Sequence, residues 1–375
     1  MAHTNLQLCS MIRADGKLEI SLADTDMPTP AADEVVVRIE AAPLNPSDLA
    51  VLFGPADLRS ATAETRAGLP VIVADVAEKA LQAVAARVGK ALPVGNEGAG
   101  VVVAAGESDA AQALLGTTVG LFGGGTYRQF HCVNIRQCLP LPPGTTPQQG
   151  ASCFVNPMTA LAMVETMRME GHEALVHTAA ASNLGQMLNR VCIDDGIKLV
   201  NIVRKAEQAE LLRAAGANYI CNSSDDNFRA DLVEALSETK ATIAFDAIGG
   251  GRLAGDILAC MEAAAAKAGG EYSVYGSETF KQVYIYGSLD RGPTTLMRSF
   301  GFAWSVGGFL LTPFLKKISM EQLMRMRSRV ADEITTTFAS HYADSLSLTQ
   351  AVSLEAISAY ATQATGQKFL LQPQV

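Results

Sequence analysis

The stretch VHTAAASNLGQ, residues 176–186, leaves an apolar strand pattern and enters a helical one. Such a junction can grip a pyrophosphate, because backbone N–H groups and the positive end of a helix dipole converge on it. Glycines usually shape the turn, bring the backbone close and let the helix pack on the strand. Here Gly185 is the only glycine. Ser182 and Asn183 are small, Asn tolerates left-handed backbone angles, and the Ser182 hydroxyl offers a donor to a phosphate oxygen. The same residues also suit an ordinary strand-to-helix turn with a Ser or Asn N-cap, and the full G-x-G-x-x-G pattern is missing. Further on, KLVNIV ends in Arg204 and Lys205. An NAD site calls for an acidic residue there, whereas a basic pair suits the 2′-phosphate of NADP. The alternative is a solvated pair at the start of a helix.

These residues need a frame, and the sequence supplies one. From about Glu173, short apolar runs alternate with helical ones: EALVHT, LGQMLNRVCIDDG, KLVNIV, AEQAELLRAAG, NYICN, DLVEALSE, ATIAFDAIGG, RLAGDILACMEAAAAKAGG and QVYIYGS. Strand and helix in alternation predict a parallel sheet covered by helices on both faces, with ligands beyond the carboxyl ends of the strands. The first 150 residues read differently. DEVVVRIEAA (33–42) and GAGVVVAAG (98–106) are strands, and GTTVGLFGGGTYRQFHCV (116–133) reads as two strands around a glycine turn, giving a β-rich, partly open barrel. The stretch between Gly54 and Gly95 looks inserted, with a small amphipathic helix at Val76, Ala80, Ala83, Val84 and Val88, as a lid or a surface ornament.

Bulk properties narrow the partners. Of 375 residues, 49% are apolar and 18% charged, a globular composition with room for two domains. Net charge is −9 with no cationic cluster, which argues against nucleic acid. The N-terminus lacks an apolar signal core. FGFAWSVGGFLLTPFL, Phe300 to Leu315, is shorter than the roughly 20 residues that span a bilayer and reads as a buried strand and loop or a dimer contact. The seven cysteines are scattered with no C-x-x-C pair, as expected of reduced thiols in a cytoplasmic protein.

Several segments together resemble a known family. They are NPSD (45–48), LPVGNEGAGVVVAAG (92–106), GGGTYRQF (123–130), VNPMTALAM (155–163), VHTAAASNLGQM (176–187), LLRAAGANYICN (211–222), FDAIGG (245–250) and GQKFLLQP (366–373). Their order and spacing resemble the medium-chain dehydrogenase/reductase superfamily, and within it the zinc-free NADPH:quinone oxidoreductases of the zeta-crystallin type. The resemblance covers most of the chain except Pro55–Ala91 and part of Ala263–Lys281. It implies an α/β architecture: a GroES-like β-rich catalytic domain (1–150, with a returning tail, 336–375) and a Rossmann NADP-binding domain (151–335), with NADPH in the cleft. Asn45 and Asn96 stand where zinc-dependent members carry Cys and His, and amides are poor zinc ligands. His131, His172 and His177 then read as structural.

Residue by residue, the resemblance assigns Ala181, Ser182, Asn183, Leu184 and Gly185 to the pyrophosphate turn. It assigns Arg204 and Lys205 to the 2′-phosphate, Ser223 to the adenosine phosphate, Asn45 and Thr159 to the nicotinamide end, and Gly287 and Lys368 to positions near the cofactor. The chain departs from the family at Ser182-Asn183 (Gly-Gly), Gln208 (Lys) and Ala50 (Tyr). With no metal to polarise a carbonyl, the acceptor must already be electron-poor, a quinone or an activated enone. Asn45 would orient acceptor or carboxamide. Tyr127 would line the pocket or donate a proton, or is simply a packed tyrosine with a bonded hydroxyl. Two other readings are a 2-enoyl thioester reductase of the same superfamily, whose tyrosine is missing from LAVLFGPAD (49–57), and an NADPH-binding sensor or scaffold without turnover. A homodimer is expected from Phe300–Leu315.

Overall fold

The computed structural model describes residues 5–269, 273–362 and 366–375. It divides into two compact units, Met1–Val155 with Arg327–Val375, and Asn156–Met326.

The first unit is built from β1 Leu6–Ile12, β2 Lys17–Asp24, β3 Glu34–Pro43, β4 Asp57–Arg66, β5 Leu69–Asp75, β6 Leu92–Pro93, β7 Glu97–Ala105, β8 Thr118–Phe122, β9 Phe130–Asn134 and β10 Cys138–Pro140. It is completed by the tail strands β19 Asp344–Leu346 and β20 Phe369–Leu371. One sheet runs β4-β5-β2-β1-β6. The other runs β10-β8-β7-β3-β20-β19, with β9 also on β3. In β3, Val35, Val37 and Ile39 enter the core with Leu8, Ile20 and Leu121, while Arg38 and Glu40 form an ion pair at 2.7 Å, as the alternation of a strand requires.

Two details depart from the sequence reading. The strands flanking Gly123–Gly125 exist, but they form no hairpin: β8 pairs with β7 and β10, while β9 pairs with β3. All three glycines have positive φ and carry the chain across the sheet. The stretch between Gly54 and Gly95 is chiefly a β4–β5 hairpin added to β2. Its helix, Glu78–Ala83, buries no residue. Ala80 and Leu81 of this helix, with Val84 and Val88 beyond it, nevertheless pack partly buried against the core, the apolar face that the sequence pattern marked.

The second unit holds β11 Ala174–His177, β12 Lys198–Val203, β13 Tyr219–Asn222, β14 Ile243–Asp246, β15 Gly249–Gly251, β16 Lys281–Ile285, β17 Asp290–Thr294 and β18 Trp304–Gly308. Its six-stranded sheet has the order β13-β12-β11-β14-β16-β18, parallel at every pairing. Leu199 to Val203 are all buried, the continuous burial expected of a sheet covered on both faces. The order is that of a doubly wound dinucleotide-binding sheet, and it reverses between β11 and β14.

The run Phe300–Leu315 is not a buried segment. It forms β18, at the sheet edge, and the helix Leu311–Leu315. Phe300 and Phe314 are buried, yet Phe302 is 75% and Leu310 62% exposed. No described helix is long and apolar enough to cross a membrane.

Candidate active site

In the second unit, the chain leaves β11 at His177 and enters the helix Asn183–Asp194 through the turn read from the sequence. Ser182 is the N-cap, its Oγ accepting the Gly185 N–H at 3.1 Å. Its hydroxyl hydrogen stays available. Ala181 is buried beneath the turn. Gly185 is required: a Cβ there would lie 2.2 Å from the Ala180 carbonyl oxygen. Ala179 has φ 51, a left-handed conformation that costs a non-glycine residue roughly 1–2 kcal/mol. The altered turn therefore keeps the tight geometry with one glycine, one N-cap serine and one strained alanine.

The ends of β11 and β14 are tied together at the reversal point. Asp246, fully buried, accepts Thr178 Oγ1 at 2.7 Å, Ile248 N at 2.9 Å and Gly249 N at 3.1 Å. Thr178 Oγ1 in turn accepts Ala247 N at 2.8 Å. Gly287, past β16, passes so close to Ala247 that a Cβ would stand 2.5 Å from its carbonyl oxygen. His177 is fully buried, its Nε2 2.7 Å from the Tyr286 hydroxyl and its Nδ1 without a partner. Burial pushes its pKa down to about 3, so it is neutral.

Arg204 and Lys205 are exposed just past β12. Gln208 Oε1 accepts the Arg204 N–H at 3.1 Å. Ser223 donates its N–H to Val203 O at 2.8 Å, beside the same strand end. Thr159 is buried in the helix Val155–Met169.

The first unit assembles a second group around Glu97, at the start of β7 and fully buried. Its Oε1 accepts Asn45 Nδ2 at 2.9 Å and Ser152 Oγ at 3.3 Å, and its Oε2 accepts the Phe154 and Val155 N–H groups at 2.7 and 2.8 Å. Asn45 is the N-cap of the helix Pro46–Leu52, its N–H bonded to Asp48 Oδ2 at 2.8 Å. Asn45 Oδ1 is buried with no partner. Lys368, at the start of the returning strand β20, donates to Ser152 Oγ at 2.6 Å. Burial, opposed by the negative charges of Glu97 and Asp48, brings its pKa down to about 8. Asn96 donates Nδ2 to Ser47 Oγ at 3.0 Å.

Tyr127 is 0% exposed. Its hydroxyl lies 2.9 Å from Pro43 O and 2.8 Å from Asp48 Oδ2. Burial and the adjacent Asp48 push its pKa well above the ordinary tyrosine value. Asp48, pushed up to about 7 chiefly by burial, also accepts Asn96 N at 2.9 Å. The geometry thus gives Tyr127 the packed, hydroxyl-bonded place and corrects the reading of it as a pocket group. Sequence reasoning passed over Asp48, Glu97 and Ser152. The first two stand inside NPSD and GNEG, but the hub they form is a long-range contact with no local signature.

No family model matches the chain. Among curated proteins it is 27% identical over 159 residues to a quinone oxidoreductase of Pseudomonas aeruginosa, covering 42% of this chain and 49% of that protein. It is 25% identical over 217 residues to the mitochondrial enoyl-[acyl-carrier-protein] reductase of Bos taurus, covering 55% and 49%. The chain thus spans about half the length of the curated relatives it matches. A putative NADPH:quinone reductase from Mesorhizobium loti superposes over 100% of both chains with a TM-score of 0.73 at 22% identity. The chain has the fold of the NADPH:quinone reductases. Escherichia coli quinone oxidoreductase, solved as a complex with NADPH, follows at TM-score 0.69 and 18% identity, over 98% of this chain and 100% of that one. These comparisons bear out the resemblance to the quinone oxidoreductase branch of the medium-chain dehydrogenase/reductase superfamily and its α/β fold.

Proposed function

We propose that the chain is an NADPH-dependent, zinc-independent oxidoreductase that delivers a hydride to an electron-poor small molecule, a quinone or an activated enone. The observation that carries this reading is the carboxyl edge of the parallel sheet. There the Gly185 turn, with no room for a Cβ, opens a helix at the reversal point, and the exposed Arg204–Lys205 pair follows the neighbouring strand. The residues present fit a dinucleotide phosphate. Ala181 to Gly185 would hold the pyrophosphate, Arg204 and Lys205 the 2′-phosphate, and Ser223 and Gly287 would border it. When bound, the reduced nicotinamide supplies the hydride. Asn45, its Nδ2 anchored on Glu97 and its Oδ1 unpartnered, would offer that oxygen to an N–H or O–H donor of a bound small molecule.

The likeness to mitochondrial enoyl reductases favours a second reading, reduction of a 2-enoyl thioester. Ala56, the nearest place for that branch's tyrosine, weighs against it. The deciding assay follows the absorbance of reduced nicotinamide against a quinone panel and a short enoyl thioester, with NADH alongside. Quinone-dependent oxidation of NADPH in preference to NADH is expected. Thioester turnover alone transfers the assignment to the second reading, and binding without turnover makes the chain a sensor.

We further propose a cytoplasmic homodimer. Among the described residues the edge strand β18 has one side without a sheet partner, and beside it Tyr275, Phe302 and Leu310 are exposed. A second copy pairing across this edge would close the sheet by two-fold symmetry.

A further inference from the structure

We propose that Gln208 and Ser224 are positioning residues for the 2′-phosphate: they clamp the Arg204 backbone and so sharpen the preference for NADPH over NADH. This assignment rests on the NADPH reading above.

β12 and β13 run in parallel as far as the pair Val203 and Asn222. One more backbone bond follows, from the Ser223 N–H to Val203 O at 2.8 Å. Side chains then take over from the ladder. Ser224 Oγ donates to the Arg204 carbonyl at 2.9 Å. Gln208, in the first turn of the helix Ala206–Ala214, accepts the Arg204 N–H on its Oε1 at 3.1 Å. Both backbone polar groups of Arg204 are therefore held. One is held by the helix that follows it, the other by the loop after β13.

The clamp is itself anchored. Asn222 Oδ1 accepts the Ser224 N–H at 3.2 Å, and Asn222 Nδ2 donates to Asp225 Oδ1 at 2.8 Å. On the other flank of β12, the Ala180 N–H donates to Ile202 O at 3.1 Å, which ties the Gly185 turn to the same strand end. Turn, strand end and loop thus keep a fixed spacing.

This backbone carries an uncommitted cation. Arg204 is exposed, and its guanidinium has no hydrogen-bond or ion-pair partner among the described residues. A cation on a loose backbone must order both backbone and side chain to grip an anion. With N–H and C=O already fixed, only the side chain remains to be ordered. The planar fork of a guanidinium makes its grip directional, so a fixed point of departure favours a phosphate in one place.

The test uses two ligands that differ only in the 2′-phosphate, adenosine 2′,5′-bisphosphate and adenosine 5′-monophosphate, titrated into the full chain by calorimetry. Ser224→Ala and Gln208→Ala each remove one arm of the clamp. Each should raise the Kd of the bisphosphate about fivefold and leave that of the monophosphate within about 1.5-fold. Ser224→Thr, which keeps the hydroxyl, should restore wild-type affinity. The Kd values of NADPH and NADH, read by nicotinamide fluorescence, should divide in the same way. In an Arg204→Ser background, Ser224→Ala should add less than about 1.5-fold, because the clamp has no guanidinium left to aim. Thermal unfolding should be nearly unchanged, since Ser224 is exposed and Gln208 half-buried. Equal losses for both nucleotides would make the two residues supports of the loop and overturn the proposal. So would an undiminished effect of Ser224→Ala in the Arg204→Ser background. A wild-type protein that binds the two nucleotides equally overturns the NADPH reading instead, and this assignment with it.

Discussion

Tyr127 shows how a residue can look chemical and be architectural. It sits in the motif GGGTYRQF, where an exposed hydroxyl would serve as an acid, but the chain folds it under the helix Pro46–Leu52 and satisfies it there. Replacing it by Phe removes the one O–H donor that Pro43 O and the Asp48 carboxylate share. We expect Tyr127→Phe to lower stability by about 1–3 kcal/mol in denaturant unfolding and to leave NADPH oxidation within about twofold. Asp48, deprived of a bond that favours its ionised form, should become harder to ionise. A large loss of kcat in a stably folded Tyr127→Phe protein would return the tyrosine to the chemistry. Asn45 makes the opposite case. Its residue type and place were legible in NPSD, but the orphaned Oδ1 that makes it useful appears only once Glu97, from another strand, has taken its Nδ2.

At the scale of elements, the end of the parallel sheet where we propose the phosphates bind was readable because it is local. β11, the turn, the helix Asn183–Asp194 and β12 lie in one continuous stretch, and apolar runs followed by small and basic residues mark them. The insertion was not readable in the same way. LPVIVAD and the helical run after it overlap in composition, and only pairing of β5 with β2 chose the strand. The prediction at this scale concerns the end of β12. Charge-assisted hydrogen bonds are worth about 1.5–3 kcal/mol each, so replacing Arg204 and Lys205 together by Ser should cut the preference for NADPH over NADH by about tenfold or more. Thermal stability should be nearly unchanged, since both side chains are exposed. The ratio of kcat/KM for the two cofactors measures it, and an unaltered ratio would leave the pair as a solvated helix start.

At the scale of the whole molecule, the exposed apolar side chains beside β18 are the feature the sequence left open between a buried strand and loop and a dimer contact, because periodicity alone does not separate the two. Phe302→Asp should shift the protein towards monomer in sedimentation velocity while the helical circular dichroism signal is retained. A wild-type protein that sediments as a monomer at assay concentration would remove the dimer proposal. What the sequence by itself determined is the parallel sheet, the strand-to-helix turn that ends on Gly185 and the basic pair after the second strand. All of these are set by periodicity or by residue type within a few positions. Only the tertiary structure decided that Glu97 is a hub, that Tyr127 is sealed and that Lys368, more than two hundred residues along the chain from Ser152, is its hydrogen-bond partner. Burial and hydrogen-bond satisfaction depend on which distant segments the fold brings together, and residue types along the chain do not encode that locally.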